Sequence, residues 1–308
     1  MNLEFAQSKE AWDGFLKENN GTFLQSYDWG EFRKEYQSVW RVMIQDQNQI
    51  QGVCQVMEEK SPLGKYLYLP HGPVAPSLNV RNELFRQVGH FIGVEHIGLK
   101  TEPLQDLTIG WRSHHRIQPQ KTLISKIGQT PEEILESFDG KTRYNVRLAK
   151  RRGVQVKESK DYAAFSRLME ENSAHQGFHS YPGHYFERLL KYLEASLFLA
   201  YYQDQVIAGS IVVFFNSTIT FLHSASNHQW GRLKAPYLVR FTAIEAARLK
   251  GCQRCNHWGI SQQRFPGVTE FKKGFGGQEL IYPTGRELPH KPVRFLTHYL
   301  AYWFLKKY

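Results

Sequence analysis

The chain has 308 residues, 41% hydrophobic and 14% aromatic, enough for one large domain or two ordinary ones and too apolar for a disordered chain. Its net charge of +10 joins two unlike halves: residues 1–140 hold 14 Lys+Arg against 18 Asp+Glu, and residues 141–308 hold 25 against 11. A polyanion, either nucleic acid or an anionic membrane surface, is therefore expected to meet the second half, and three cysteines argue against a disulfide framework. The apolar run Ile211-Val-Val-Phe-Phe215 suits a buried strand, and no apolar run is long enough to cross a bilayer. The first residues, MNLEFAQSKEAWDGF, lack a basic patch followed by an apolar core, so the expected location is cytoplasmic.

Helical spacing predicts helices over 10–18 and 29–36. Residues 41–56 read as strand, polar turn, strand, and an aromatic strand over 65–69 ends in Pro70-His-Gly-Pro73. A helix is expected over 81–93, and Lys100-Thr-Glu-Pro103 reads as a strand end. Six basic residues, Lys141, Arg143, Arg147, Lys150, Arg151 and Arg152, then crowd one helix, with Arg143, Arg147 and Arg151 four residues apart. Such a column of guanidinium groups suits phosphates; Tyr144 and Leu148 share the other face and are expected in the core. Helices over 161–176 and 184–194 precede a second strand, turn, strand at 197–213, with an aromatic strand at 218–223 behind it. Both hairpins carry Gln-Asp-Gln followed by a glycine, at 45–47 and 203–205. A helix over 236–250 opens on proline and stops before Gly251.

Helix pair, antiparallel strands, helix, strand thus occurs twice, an α+β layout in duplicate. This is the element order of a GNAT acyltransferase fold in tandem, with a first GNAT-like domain over 1–130 and a second over 131–283. The aromatic tail, 284–308, is expected to pack back onto the first domain, with the membrane interface as the rival location. A GNAT enzyme binds acetyl-CoA through glycine-spaced amides at a helix N-terminus. Here 227–236 offers one glycine, a lysine and a proline, and 70–76 offers less, which argues against coenzyme A as donor. Cys252 and Cys255 form a CxxC with His257 nearby, yet no second pair exists to complete a zinc site, so core packing is expected and no metal or cofactor. His223, His228 and His257 are read as ordinary polar histidines.

Five motifs carry a family resemblance: Phe23-Leu-Gln-Ser-Tyr-Asp-Trp-Gly-Glu-Phe32, Lys141-Thr-Arg-Tyr-Asn-Val-Arg-Leu-Ala-Lys150, Lys234-Ala-Pro-Tyr-Leu238, Trp258-Gly-Ile260 and Phe265-Pro-Gly-Val-Thr-Glu-Phe-Lys-Lys-Gly-Phe-Gly-Gly277. In this order the chain resembles the FemABX aminoacyltransferases from about Phe23 to its C-terminus, without the coiled-coil arm of the staphylococcal members. The resemblance implies an aminoacyl-tRNA donor and, as acceptor, the stem-peptide amine of a UDP-linked or lipid-linked muropeptide, with peripheral contact at the inner membrane face. It places the essential lysine at Lys272, after Phe271, and a carboxylate before proline at Glu102, the candidate proton acceptor. Arg33 and Lys34 match a position that touches the acceptor's phosphates, and Tyr185 matches an aromatic contact to the muropeptide. Lys273 would be a weaker phosphate contact, Gly276 and Gly277 would let backbone approach a substrate, and Lys141, Arg143, Arg147, Lys150 and Arg151 would meet tRNA. Two departures touch the acceptor: Tyr181 replaces an arginine, and the Tyr-Asp-Phe-Trp-Gly run reads Cys255-Asn-His-Trp-Gly259. The rival readings are a GNAT-type N-acyltransferase using an acyl-CoA or acyl-carrier donor, and a non-catalytic module that binds tRNA or a membrane surface.

Overall fold

The computed structural model describes residues 2–61, 64–93, 95–113, 116–176, 181 and 183–297. It divides the chain into two units, Met1–Gln120 with Tyr282–Tyr308, and Lys121–Ile281. In the first unit β1 (Asn2–Phe5) leads to α1 (Lys9–Glu18), which opens where Ser8 accepts the Ala11 amide; Ser26 opens α2 (Tyr27–Lys34) by accepting the Trp29 amide. β2 (Val39–Asp46) turns into β3 (Gln49–Ser61) through Gln47 and Asn48, both at positive φ (48° and 62°), the conformation that lets a two-residue turn follow the strand twist. β3 pairs antiparallel with β4 (Gly64–His71). α3 (Leu78–Ile92) then crosses over, so β5 (Gly98–Pro103) lies parallel to β4. Leu84, Phe85 and Val88 of α3 share a core with Val42, Ile44, Cys54 and Val56 of the sheet. β6 (Trp111–Arg112) ends this stretch.

The second unit runs β7 (Lys121–Lys126), α4 (Pro131–Glu136), α5 (Gly140–Arg151), β8 (Gln155–Ser159), α6 (Tyr162–Gln176), α7 (Gly183–Tyr192), β9 (Ala195–Tyr202), β10 (Gln205–Phe215), β11 (Thr218–Ser226), α8 (Ala235–Leu249), β12 (Arg254–Gly259), α9 (Pro266–Lys273) and β13 (Gln278–Ile281). Its central hairpin turns through Gln203 and Asp204, at φ 48° and 60°, and α8 carries the chain over to β12, parallel to β11. The equivalent turn residues are therefore Gln47-Asn48 and Gln203-Asp204, and the first hairpin's match to Gln-Asp-Gln lies two residues later than its sequence reads. β14 (Arg286–Pro289) follows, antiparallel to β5.

The two seven-stranded sheets match strand for strand: β1-β2-β3-β4-β5-β14-β6 and β8-β9-β10-β11-β12-β7-β13. The place beside the last parallel strand is taken in the first sheet by β14 and in the second by β7, which pairs antiparallel with β12. Each of these strands thus follows one unit in sequence and hydrogen-bonds in the other. The sequence reading closes the first unit at 130 and the second at 283; the compact units of the structure end at 120 and 281. Phe295 is buried, against Gly98 in the first unit. The rest of the aromatic tail, 298–308, lies outside the described residues.

Candidate active site

In the second unit the Phe271-Lys272 pair lies in the last turn of α9, a helix that starts on Pro266. Phe271 packs edge-on against Tyr237 of α8 (4.9 Å between centroids) and against Phe275 (5.1 Å). Lys272 is half-buried, and its Nζ donates to the Gly259 carbonyl at 2.6 Å. That carbonyl ends β12 after a bulge: Trp258 sits at φ 63°, braced by its amide donating to Asn256 Oδ1 at 2.8 Å. Burial foremost, and then the positive charge of Arg240, lower the Lys272 ammonium to about 7. Near neutral pH this lysine can hold or release its proton.

Behind it lies a polar chain that sequence reasoning did not assign. Arg240, 3% exposed, points from the apolar face of α8 and donates from Nη1 to His257 Nδ1 at 2.8 Å. An arginine can only donate, so Nδ1 is the acceptor and the Nε2 proton points to Ser125 Oγ, 3.0 Å away. Burial first, then the nearby cations Arg240 and Lys272, hold His257 neutral, well below the usual imidazole range. Burial raises the Cys255 thiol to about 12; it is a core group, 3.8 Å from the same Nδ1. The available signal was an arginine among Leu238, Val239, Phe241, Ala243 and Ile244, where helical periodicity puts apolar residues.

The double glycine after α9 meets the chain itself. A Cβ on Gly276 (φ 77°) would stand 2.6 Å from the Ser137 carbonyl oxygen, and one on Gly277 (φ 103°) 2.7 Å from that of Ile124. Both positions need glycine for conformation and for space. Lys273 is exposed and pairs with Glu279 at 3.4 Å. Tyr185 is buried on α7 at 5% exposure, its ring stacked on Tyr181 at 4.1 Å and edge-on to His223; Tyr181 is exposed.

On α5 the structure corrects one expectation. Thr142, Asn145, Val146 and Ala149 are buried, whereas Tyr144 is 55% exposed and lies with Arg147 and Arg151 on the outer face. The Arg151 guanidinium stands 5.7 Å from the Tyr144 ring. Small residues face inward because α5 packs against α8, which leaves no room for a tyrosine. Lys141, Arg147, Lys150 and Arg151 are exposed, but Arg143 folds back, with Nη1 donating to the Phe138 and Glu136 carbonyls after α4.

In the first unit Glu102 is 1% exposed on β5. Its Oε2 accepts the Tyr68 hydroxyl at 2.5 Å and its Oε1 the Ile117 amide at 2.9 Å. Arg33 Nη2 donates to Gln37 at 2.6 Å and lies 3.5 Å from Glu59, while its buried Nε and the Trp29 Nε1 find no acceptor among the described residues. Lys34 is exposed and pairs with Glu31 at 2.8 Å. Arg33 thus keeps a buried donor that none of the described residues accepts.

A family model described as the FemAB family matches residues 82–202 and 192–302. Among curated relatives, the lipid II:glycine glycyltransferase of Staphylococcus aureus (strain MRSA252) is 29% identical over 221 residues, 61% of this chain and 52% of the relative. The chain spans about half the length of the curated relatives it matches. A crystal structure of FemX superposes with a TM-score of 0.83 at 19% identity, covering 97% of this chain and 100% of that one. A tandem GNAT protein from the clavulanic acid biosynthesis pathway gives 0.50 at 9% identity, over 93% of this chain and 97% of its own. These likenesses show the fold, two GNAT-like α+β units in tandem.

Proposed function

This chain belongs to the FemAB family, and on that premise we propose that it is an aminoacyltransferase, moving an aminoacyl group from aminoacyl-tRNA to an amine of a peptidoglycan precursor. The observation that carries this reading is Lys272: an ammonium sheltered on a carbonyl, with a proton affinity near neutrality, next to an aromatic residue that fixes its turn.

When the acceptor amine attacks the ester carbonyl, a C–N bond forms and negative charge develops on the carbonyl oxygen. A positioned cation stabilises that charge more than it stabilises the neutral ester, and so lowers the barrier. The C–O bond to the ribose then breaks, the ribose oxygen takes a proton, and the former ammonium loses one. Lys272 stands at the oxyanion, with Phe271 holding its turn. Glu102 is assigned to the proton leaving the attacking ammonium; each of its oxygens keeps a lone pair beyond its internal hydrogen bond. Arg33, with its unused Nε, and Lys34 are assigned to the acceptor's phosphates, Tyr185 to the muropeptide, and Lys273 to a phosphate at the edge. The exposed α5 cations Lys141, Arg147, Lys150 and Arg151 are assigned to tRNA. Gly276 and Gly277 act through the backbone path they permit, and Arg143 through the α4–α5 corner.

The relatives' name supports a lipid-linked acceptor, which would bring the protein to the membrane face as a peripheral partner. Among the described residues no helix is long and apolar enough to cross a membrane. The test offers the full chain a pool of charged tRNAs, acetyl-CoA, and both UDP-linked and lipid-linked precursors, then weighs the products. A precursor heavier by one amino-acid residue, dependent on charged tRNA, is expected; an acetylated product or none would refute the reading.

A further inference from the structure

Arg240 raises a question that charge stabilisation at Lys272 leaves open. A guanidinium taken out of water is expensive unless an anion accompanies it, yet among the described residues no carboxylate pairs with Arg240 or with Lys272. Instead the guanidinium is fastened to His257 Nδ1 and enclosed by rings, its Cζ lying 4.1 Å from the Phe221 centroid, 5.3 Å from Phe271 and 5.4 Å from Phe275. Burial lowers Arg240 itself to about 10, so it keeps its charge at neutral pH. One of its enclosing rings, Phe271, is the residue before Lys272. A permanent cation is thus built in beside the lysine assigned to the reaction.

We propose that Arg240 is a positioning residue that acts through Lys272: the guanidinium, fixed by His257 and the three phenylalanines, is the neighbouring charge that makes the Lys272 ammonium a ready proton donor. This rests on the assignment of Lys272 to the transfer reaction. In that reaction Lys272 passes a proton to the ribose oxygen as the C–O bond breaks, while Glu102 takes the proton leaving the attacking nitrogen and returns it to solvent, from which the neutral lysine is recharged. Ester and amine become alcohol and amide, and the lysine ends unchanged. The surroundings leave Arg240 as the governing charge. From α8, Tyr237 is raised, foremost by burial, and stays neutral. From β12, His257 is neutral and Cys255 keeps its proton. Glu270 and Lys273 on α9 and Asp139 before α5 are exposed to solvent, which screens them.

The experiment uses the full chain with isotope-labelled lysine, the Lys272 side-chain resonance being assigned by its loss in Lys272→Met. Its titration midpoint is followed beside the pH profile of single-turnover transfer. The native midpoint is expected near pH 7. In Arg240→Met it rises part of the way toward the ordinary lysine value, burial holding the rest, and the transfer profile moves with it; Arg240→Lys restores the native position. His257→Phe, which keeps the charge but removes its anchor, shifts the midpoint in the same direction and serves if Arg240→Met does not fold. An unmoved midpoint in a folded Arg240→Met or His257→Phe chain overturns the proposal. A shifted midpoint with an unshifted transfer profile sustains the link between the two residues and overturns the assignment of Lys272 to the reaction.

Discussion

Lys272→Met keeps the length and apolar stem of the side chain and removes its nitrogen. By the scale of lost oxyanion donors, kcat is expected to fall about 10²- to 10³-fold, with the fold intact, because among the described residues the lysine's hydrogen-bond partner is one carbonyl. The pH dependence has a defined sign. The folded-state proton affinity lies below the ordinary lysine value, so the ammonium is present below about pH 7 and is lost above it. Single-turnover rates should be level on the acid side and fall toward tenfold per pH unit on the alkaline side. Gly276→Ala and Gly277→Ala are expected to act on stability instead. Each puts a methyl group within about 3 Å of a carbonyl oxygen at positive φ, a strain of order 1–3 kcal/mol, read as a lower urea midpoint with the slope unchanged.

At the scale of elements, the exposed and the inward-turned cations of α5 should separate. Arg147→Ala and Arg151→Ala are expected to weaken tRNA binding, each lowering the salt slope of log affinity by roughly 0.7–0.9. Arg143→Ala should leave that slope unchanged and lower stability, since its guanidinium holds the Phe138 and Glu136 carbonyls. The sequence had this helix and its charge column but put Tyr144 inside. An apolar-periodicity reading buries large rings, whereas the close neighbour α8 selects Thr142, Asn145 and Ala149. The duplicated hairpins and the crossover helices were legible, because each depends on local spacing. The places of β7 and β14 were not, since a short strand carries no sign of which sheet edge it joins. Arg240 was legible only as an anomaly. Its partner His257 reads as one more core histidine until the fold brings α8 over β12.

For the whole molecule, histidines held neutral in the fold, His257 among them, govern acid sensitivity. Burial lowers His71 to about 3 and His223 to about 4, and burial with its neighbours His96 and His90 lowers His290 to about 4. Each is neutral in the folded chain at a pH where the unfolded chain binds a proton. Their contribution is therefore complete above about pH 6.5 and declines as pH falls toward 4. Both units hold such a group, so chemical denaturation midpoints should drop across that window, and His223→Phe should flatten the drop. The same molecule unites a first half with an acidic excess and a second half with a basic one, a distribution that fits an RNA-borne donor on the second unit. The most direct test of the account is a single-turnover reaction between a charged tRNA and the peptidoglycan precursor, run with the native chain and with Lys272→Met and read by product mass. The account predicts a precursor gaining one amino-acid residue with the native chain and almost none with the variant at equal tRNA binding. Equal product from both would contradict it.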